Sequence, residues 1–150
     1  MKTVFDPATM EEVKSRVAQL TPNSAPQWGK MTLPQMLAHC SIGIQMTTGE
    51  VKPPRIFLGR ILGPIIRHLA LRDDAPMRRD SPTAPLLLVI DDRDFATEHQ
   101  KFSEILNRFA ESGPTACTTH PHAFFGKLTP DQWGVLMYKH LDHHLRQFGA

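Results

Sequence analysis

The stretch Trp133-Gly134-Val135-Leu136-Met137-Tyr138-Lys139-His140-Leu141-Asp142-His143-His144-Leu145-Arg146-Gln147 decides the fold. It follows Thr129-Pro130-Asp131-Gln132, a T-x-x-Q capping box with a proline and an acid in the first turn, so a helix is expected to about Phe148. At ~100° per residue, His140 and His144 fall within roughly 20° of Trp133, on the face shared with Leu136 and Met137. Lys139, Asp142 and Arg146 turn to the other side. Two imidazoles one turn apart on a core-facing surface can bite one metal ion. They can equally be satisfied by each other, by carbonyls or by water, and leaving their nitrogens bare would be costly.

Working back from this helix, Asp92–Glu111 carries Phe95, Phe102, Ile105, Leu106 and Phe109 on one face and stops at Gly113-Pro114. Near the start of the chain, Asp6-Pro7 reads as an N-cap with proline at the first helical position, and Phe5 is placed to pack on Met10. Met10, Val13, Val17 and Leu20 then line a face. Thr21–Pro26 breaks the chain. A further helix is expected from Thr32, because Thr32 and Gln35 form a second T-x-x-Q box ahead of Leu33, Met36, Leu37, Cys40 and Ile44; it should fade near Gly49. Ile56–Leu71 looks helical but holds Gly59, Gly63 and Pro64, which predicts a broken or kinked excursion outside the main bundle. Arg72–Pro85, with Pro76, Pro82 and Pro85, reads as an irregular connection, and Leu86–Ile90 is too short to separate strand from buried coil. Four long amphipathic segments with little strand signal make the fold class all-α, a helical bundle.

The 150 residues suit a single domain over 1–150, large enough to bury a core without staples. A hydrophobic content of 41% with 21% charged residues is ordinary for a globular protein. The formal charge of +2, from scattered cations, gives no case for nucleic acid. Cys40 and Cys117, far apart and outside any CxxC, argue against a disulfide framework and fit a reducing compartment. The N-terminus lacks an apolar signal core, and the greasiest stretch is interrupted by Arg60, Pro64, Arg67 and His68, so a cytoplasmic protein without a membrane partner is expected.

The two capped helices open with related text. Trp28-Gly29-Lys30-Met31-Thr32 leads to Gln35, and Phe125-Gly126-Lys127-Leu128-Thr129 leads to Gln132. From capping threonine to histidine the count is seven residues to His39 and eleven to His140, a difference of about one turn, so both histidines share a phase. That makes His39 the natural third ligand, although its place at the flank of its apolar stripe also suits an interfacial histidine.

These segments, together with His120-Pro121-His122, Phe124-Phe125-Gly126-Lys127-Leu128-Thr129-Pro130 and Tyr138–Phe148, resemble an uncharacterised branch, a domain of unknown function, of the DinB-like metal-binding four-helix-bundle superfamily. The likeness spans nearly the whole chain. It implies an up-down-down-up bundle with a long crossover between helices two and three, here Gly49–Asp91, carrying the extra short or kinked helix. It also implies His39, His140 and His144 as ligands of a divalent metal such as zinc or nickel, and it matches Gln147 to a glutamine that hydrogen-bonds in or around such a site. Relatives of that superfamily include transferases and isomerases that use low-molecular-weight thiols such as bacillithiol, mycothiol or glutathione, and proteins described as hydrolases.

Three neutral imidazoles leave a divalent ion its charge and an open position, as in catalytic rather than closed structural sites. With a thiol there, conjugation to a small electrophile is expected; with water, hydrolysis, for which no carboxylate base is evident. A binding module that only holds a small ligand, and a structural protein with internally satisfied histidines, are the readings from other classes. A homodimer is compatible with all of them. Among helper groups, His99 shares the Phe95 and Phe102 face and is a candidate acid or base, with an interface histidine as the alternative. Glu98 is expected nearer the solvent side, Cys40 in the core, His143 at a helix edge toward solvent or the outer surroundings of the site, and His120 and His122 in the loop before the last helix.

Overall fold

The computed structural model describes residues 1–79, 81 and 84–150; Pro82, part of the proline-rich connection, lies outside them. The described residues form five α-helices and no strand: α1 (Pro7–Ala18), α2 (Leu33–Thr48), α3 (Phe57–Ala70), α4 (Phe95–Ser112) and α5 (Pro130–Gln147). Their starts follow from side-chain caps. Asp6 accepts from the Thr9 amide at 2.8 Å and Asp94 from that of Thr97 at 2.8 Å, while Thr32 with Gln35 and Thr129 with Gln132 close complete capping boxes. The doubled sequence element is therefore a doubled structure. Its glycines, Gly29 and Gly126, both adopt left-handed backbone, with φ of 80° and 81°, which turns the chain into each cap.

Helix α2 lies against α4 and α5, and α1 packs on the same two helices, making a helical bundle. Its main core joins Met10, Val13 and Val17 of α1, Met36, Leu37, Cys40 and Ile44 of α2, Phe102, Ile105, Leu106 and Phe109 of α4, and Met137, Leu141 and Leu145 of α5. Each such side chain withdrawn from water contributes about 1.5–3 kcal/mol. Phe5 packs at the edge of this core, its ring 5.6 Å from that of Phe109. A smaller cluster of Leu71, Trp133, Val135 and Leu136 sits under the loop that carries Phe125 and Leu128. The far side of α5 is covered as well. Lys139 is buried with its Nζ donating to the carbonyls of Ala70, at 2.6 Å, and Asp73, at 3.0 Å; Asp142 is buried between Arg16 and Arg146, each at 2.8 Å. These charges fasten the last helix to α1 and to the end of α3.

The Ile56–Leu71 segment, expected as a broken or kinked excursion, is not broken: α3 is one continuous helix through Pro64, whose ring is exposed, so the missing N–H falls on the open side. Gly59 and Gly63 are the reason for its position. A Cβ at Gly59 would come within 2.6 Å of the Phe124 carbonyl oxygen, and one at Gly63 would collide with the same oxygen, so only glycine lets this helix lie on backbone 124–125. For Leu86–Ile90, too short for periodicity to separate strand from buried coil, the structure gives a single 3-10 turn over Pro85–Leu87, with Leu86, Leu88 and Ile90 exposed. Replacing Gly63 by alanine should destabilise the protein by about 1–3 kcal/mol despite the better helix propensity of alanine, because backbone rather than a flexible side chain must yield. An unchanged thermal midpoint for Gly63→Ala would show that α3 does not seat on Phe124.

Candidate metal centre

The three histidines meet. His39 of α2 and His144 of α5 are buried, His140 is partly so, and one ring nitrogen from each lies within 4.8 Å of the other two. The ring centroids are 4.6 to 4.8 Å apart, and the Nε2 atoms of His39 and His140 stand at 2.8 Å. On α5 the pair fills the strip between the main core and the Trp133 cluster. Gly43, one turn after His39, makes room: a Cβ there would stand 3.0 Å from Cε1 of His140.

Hydrogen bonds fix which nitrogens face inward. His39 Nδ1 lies 2.8 Å from the Leu87 carbonyl, which can only accept, so Nδ1 carries the proton and Nε2 the lone pair. His144 is oriented by Gln147. The Gln147 amide Nε2 donates to the Trp28 carbonyl at 2.7 Å, which orients the amide and leaves Oε1 to accept from His144 Nδ1 at 2.8 Å. His144 Nε2 is then also a lone pair. Gly29 serves this relay, since a Cβ on it would strike the Gln147 amide.

Electrostatics keep the rings neutral. Burial holds His39 below the usual imidazole range, holds His140 well below it with the neighbouring histidines adding to the effect, and lowers His144 to about 3. Neutral imidazole is the form that ligates metal.

The remaining histidines have other partners. His99 Nε2 donates to the Val17 carbonyl at 3.1 Å and its ring lies 5.3 Å from Phe95, which places it in the α1–α4 contact. His120 donates to the Pro53 carbonyl at 3.1 Å. His122 Nδ1 accepts from the amides of Phe124 and Phe125, both at 3.1 Å, while its ring lies against Phe125 and Trp133; burial and then Arg55 lower it to about 4. His143 packs edge-on to Trp28 and to His144, with centroids at 5.6 and 5.0 Å. Cys40 is buried, its thiol 3.5 Å from the Met36 sulfur and raised by burial, as expected of a core residue. Glu98 differs from expectation. It is buried rather than solvent-facing, because Arg93 folds over it with Nη1 3.0 Å from Oε1 and neutralises the charge.

Next to the cluster is a cleft of about 530 Å3 lined by Trp28, Arg79, His143 and Arg146 among others. The Arg79 guanidinium stacks over Trp28 at 4.1 Å, and Arg146 is tethered by Asp142 through Nε. His143 and Trp28, which line the cleft, connect it to the cluster: the His143 ring lies against His144, and the Trp28 carbonyl accepts from Gln147, the partner of His144.

Fold and site together define a helical-bundle protein with a buried cluster of three histidines that has the makings of a metal centre. The chain belongs to the family described as Protein of unknown function (DUF1569), whose family model matches residues 5–150. No curated protein and no solved structure matches it. No described helix is long and apolar enough to cross a membrane.

Proposed function

We propose that this chain is a DinB-like bundle of up-down-down-up order and works as a metal-dependent enzyme. In it His39, His140 and His144 hold one zinc or nickel ion, and a low-molecular-weight thiol is transferred to a small electrophile. The observation that carries the metal reading is the pairing of the outer nitrogens. Leu87 and Gln147 engage Nδ1 of His39 and His144 and leave Nε2 of each as the free lone pair, in a cluster where one ring nitrogen of each histidine lies within 4.8 Å of the others. Nitrogen ligands of a tetrahedral ion, each ~2.0–2.1 Å from it, stand ~3.3 Å apart, so His39 and His140, whose Nε2 atoms are 2.8 Å apart, would separate by ~0.5 Å around an ion, within a cluster gathered inside 4.8 Å. One histidine from α2 and an H-x-x-x-H pair from α5 also suit the DinB-like arrangement.

A divalent ion on three neutral ligands supplies a Lewis-acid position that favours the deprotonated form of a thiol. The rest is the protein's own contribution. Burial keeps the three imidazoles unprotonated, and Leu87 and Gln147 hold two of them in one tautomer and orientation. Arg79 and Arg146 in the adjoining cleft suit the carboxylates that low-molecular-weight thiols carry, and Trp28 offers an apolar wall.

Titrating glutathione, bacillithiol or cysteine into cobalt-substituted protein tests this reading. A sulfur-to-metal charge-transfer band, lost in His144→Ala, is the expected result. No spectral response to any thiol, alongside measurable ester or amide hydrolysis, would replace the transferase with a hydrolase. Ligand retention without turnover would make it a binding protein.

A further inference from the structure

Helix α3 turns a broad, mostly apolar face to the outside, with His68 as its one polar member near the Phe57 edge. Phe57, Leu58, Ile61 and Ile65 are 76%, 55%, 59% and 62% exposed, and Leu62, Ile66 and Leu69 extend the same surface. The face cannot turn inward by a simple roll. Gly59 and Gly63 lie on the Phe124 backbone, where no side chain fits, and both ends of the helix are tied down. At the start the Ile56 amide donates to the Ala123 carbonyl at 2.9 Å; toward the end Arg67 Nη1 donates to the Lys127 carbonyl and Lys139 Nζ to that of Ala70, both at 2.6 Å. The apolar face is thus held outward by the same contacts that fix the helix.

Its size and charge pattern select the occupant. The exposed part amounts to roughly 700 Å2, above the ~300–600 Å2 of the largest patch on a typical monomer and close to the ~800 Å2 per partner of a standard interface. Around the helix axis the apolar side chains cover an arc of ~180°, and Arg60 and Arg67 lie roughly opposite its middle. Cations placed there do not meet across a two-fold axis. A face that holds no lysine, arginine or acid, and whose one polar member is His68 near its edge, can meet its own copy across a two-fold axis without opposing like charges.

We infer that the outer face of α3 is a dimer interface, covered by α3 of a second copy of this chain. The inference is independent of the metal reading. Light scattering coupled to size exclusion, run on the full chain over a concentration series, should give the mass of a dimer. The double variant Ile61→Asp with Ile65→Asp should give the monomer mass while keeping its helical circular dichroism. Should that variant lose its helix content, Leu58→Lys with Leu62→Lys carries the same test at two other positions of the face. A monomeric wild type, or a dimer that persists in a folded variant, overturns the proposal. So does a monomer that binds phosphatidylcholine–phosphatidylglycerol vesicles, which would assign the face to lipid.

Discussion

Wild-type protein purified without chelators is expected to carry about one divalent ion per chain, and His144→Ala or His140→Ala should reduce that to a few per cent of stoichiometry. Removing one of three protein ligands leaves two, too few to hold zinc or nickel against buffer. Replacing Gln147 by leucine should act more mildly, weakening affinity by ~10–100-fold, because the ligand stays and only the partner of His144 Nδ1 goes. Elemental analysis of the four proteins side by side separates these cases. Negligible metal in folded wild type, unchanged by added zinc or nickel, would remove the metal reading altogether. Chelation itself should lower the thermal midpoint without abolishing helix content, since the core of α1, α2, α4 and α5 is buried independently of the histidines. A random-coil spectrum on chelation would contradict that.

The difference between His144 and its supports also marks what could be read from the sequence. Asp6, Thr32 with Gln35 and Thr129 with Gln132 act within one turn of chain, so the helix starts were visible as short motifs. The i, i+4 spacing of His140 and His144, and the repeat that puts His39 in phase with them, are equally local. The Leu87 carbonyl is not. It reaches His39 across 48 residues from a segment with no period of its own, and a backbone oxygen leaves no mark in residue type. Gly43 was legible only in hindsight, as the small residue one turn from His39 where the ring of His140 packs. Lys139 and Glu98 look like solvent-facing charges by helical phase, yet both are buried, because their partners, the carbonyls of Ala70 and Asp73 and the Arg93 side chain, come from other parts of the chain that one helix's periodicity does not see. The continuity of α3 escaped for a related reason. Its glycines read as breakers, whereas they are contact surfaces against backbone at 124–125.

Acid should detach that contact. His122 accepts two amide hydrogen bonds through Nδ1, from Phe124 and Phe125, and a protonated imidazole has no lone pair with which to accept either. Its folded value, lowered from 6.5 to about 4 by burial and Arg55, lies below the unfolded one, so folding favours the neutral ring. The stabilisation is complete above pH 6.5, declines as the pH falls from there toward about 4, and is gone below it. A gap of this size corresponds to a loss on the order of 3 kcal/mol across the window. Because residues 122–126 carry the backbone on which Gly59 and Gly63 rest, hydrogen exchange in α3 should rise at the acid end before the core of α4 opens. Chemical denaturation at pH 7.5 and pH 4.5 measures the stability difference, and His122→Asn should shrink it, since an amide oxygen can accept from the same amides without titrating. Equal slopes of stability against pH in wild type and His122→Asn would assign the acid sensitivity to groups elsewhere.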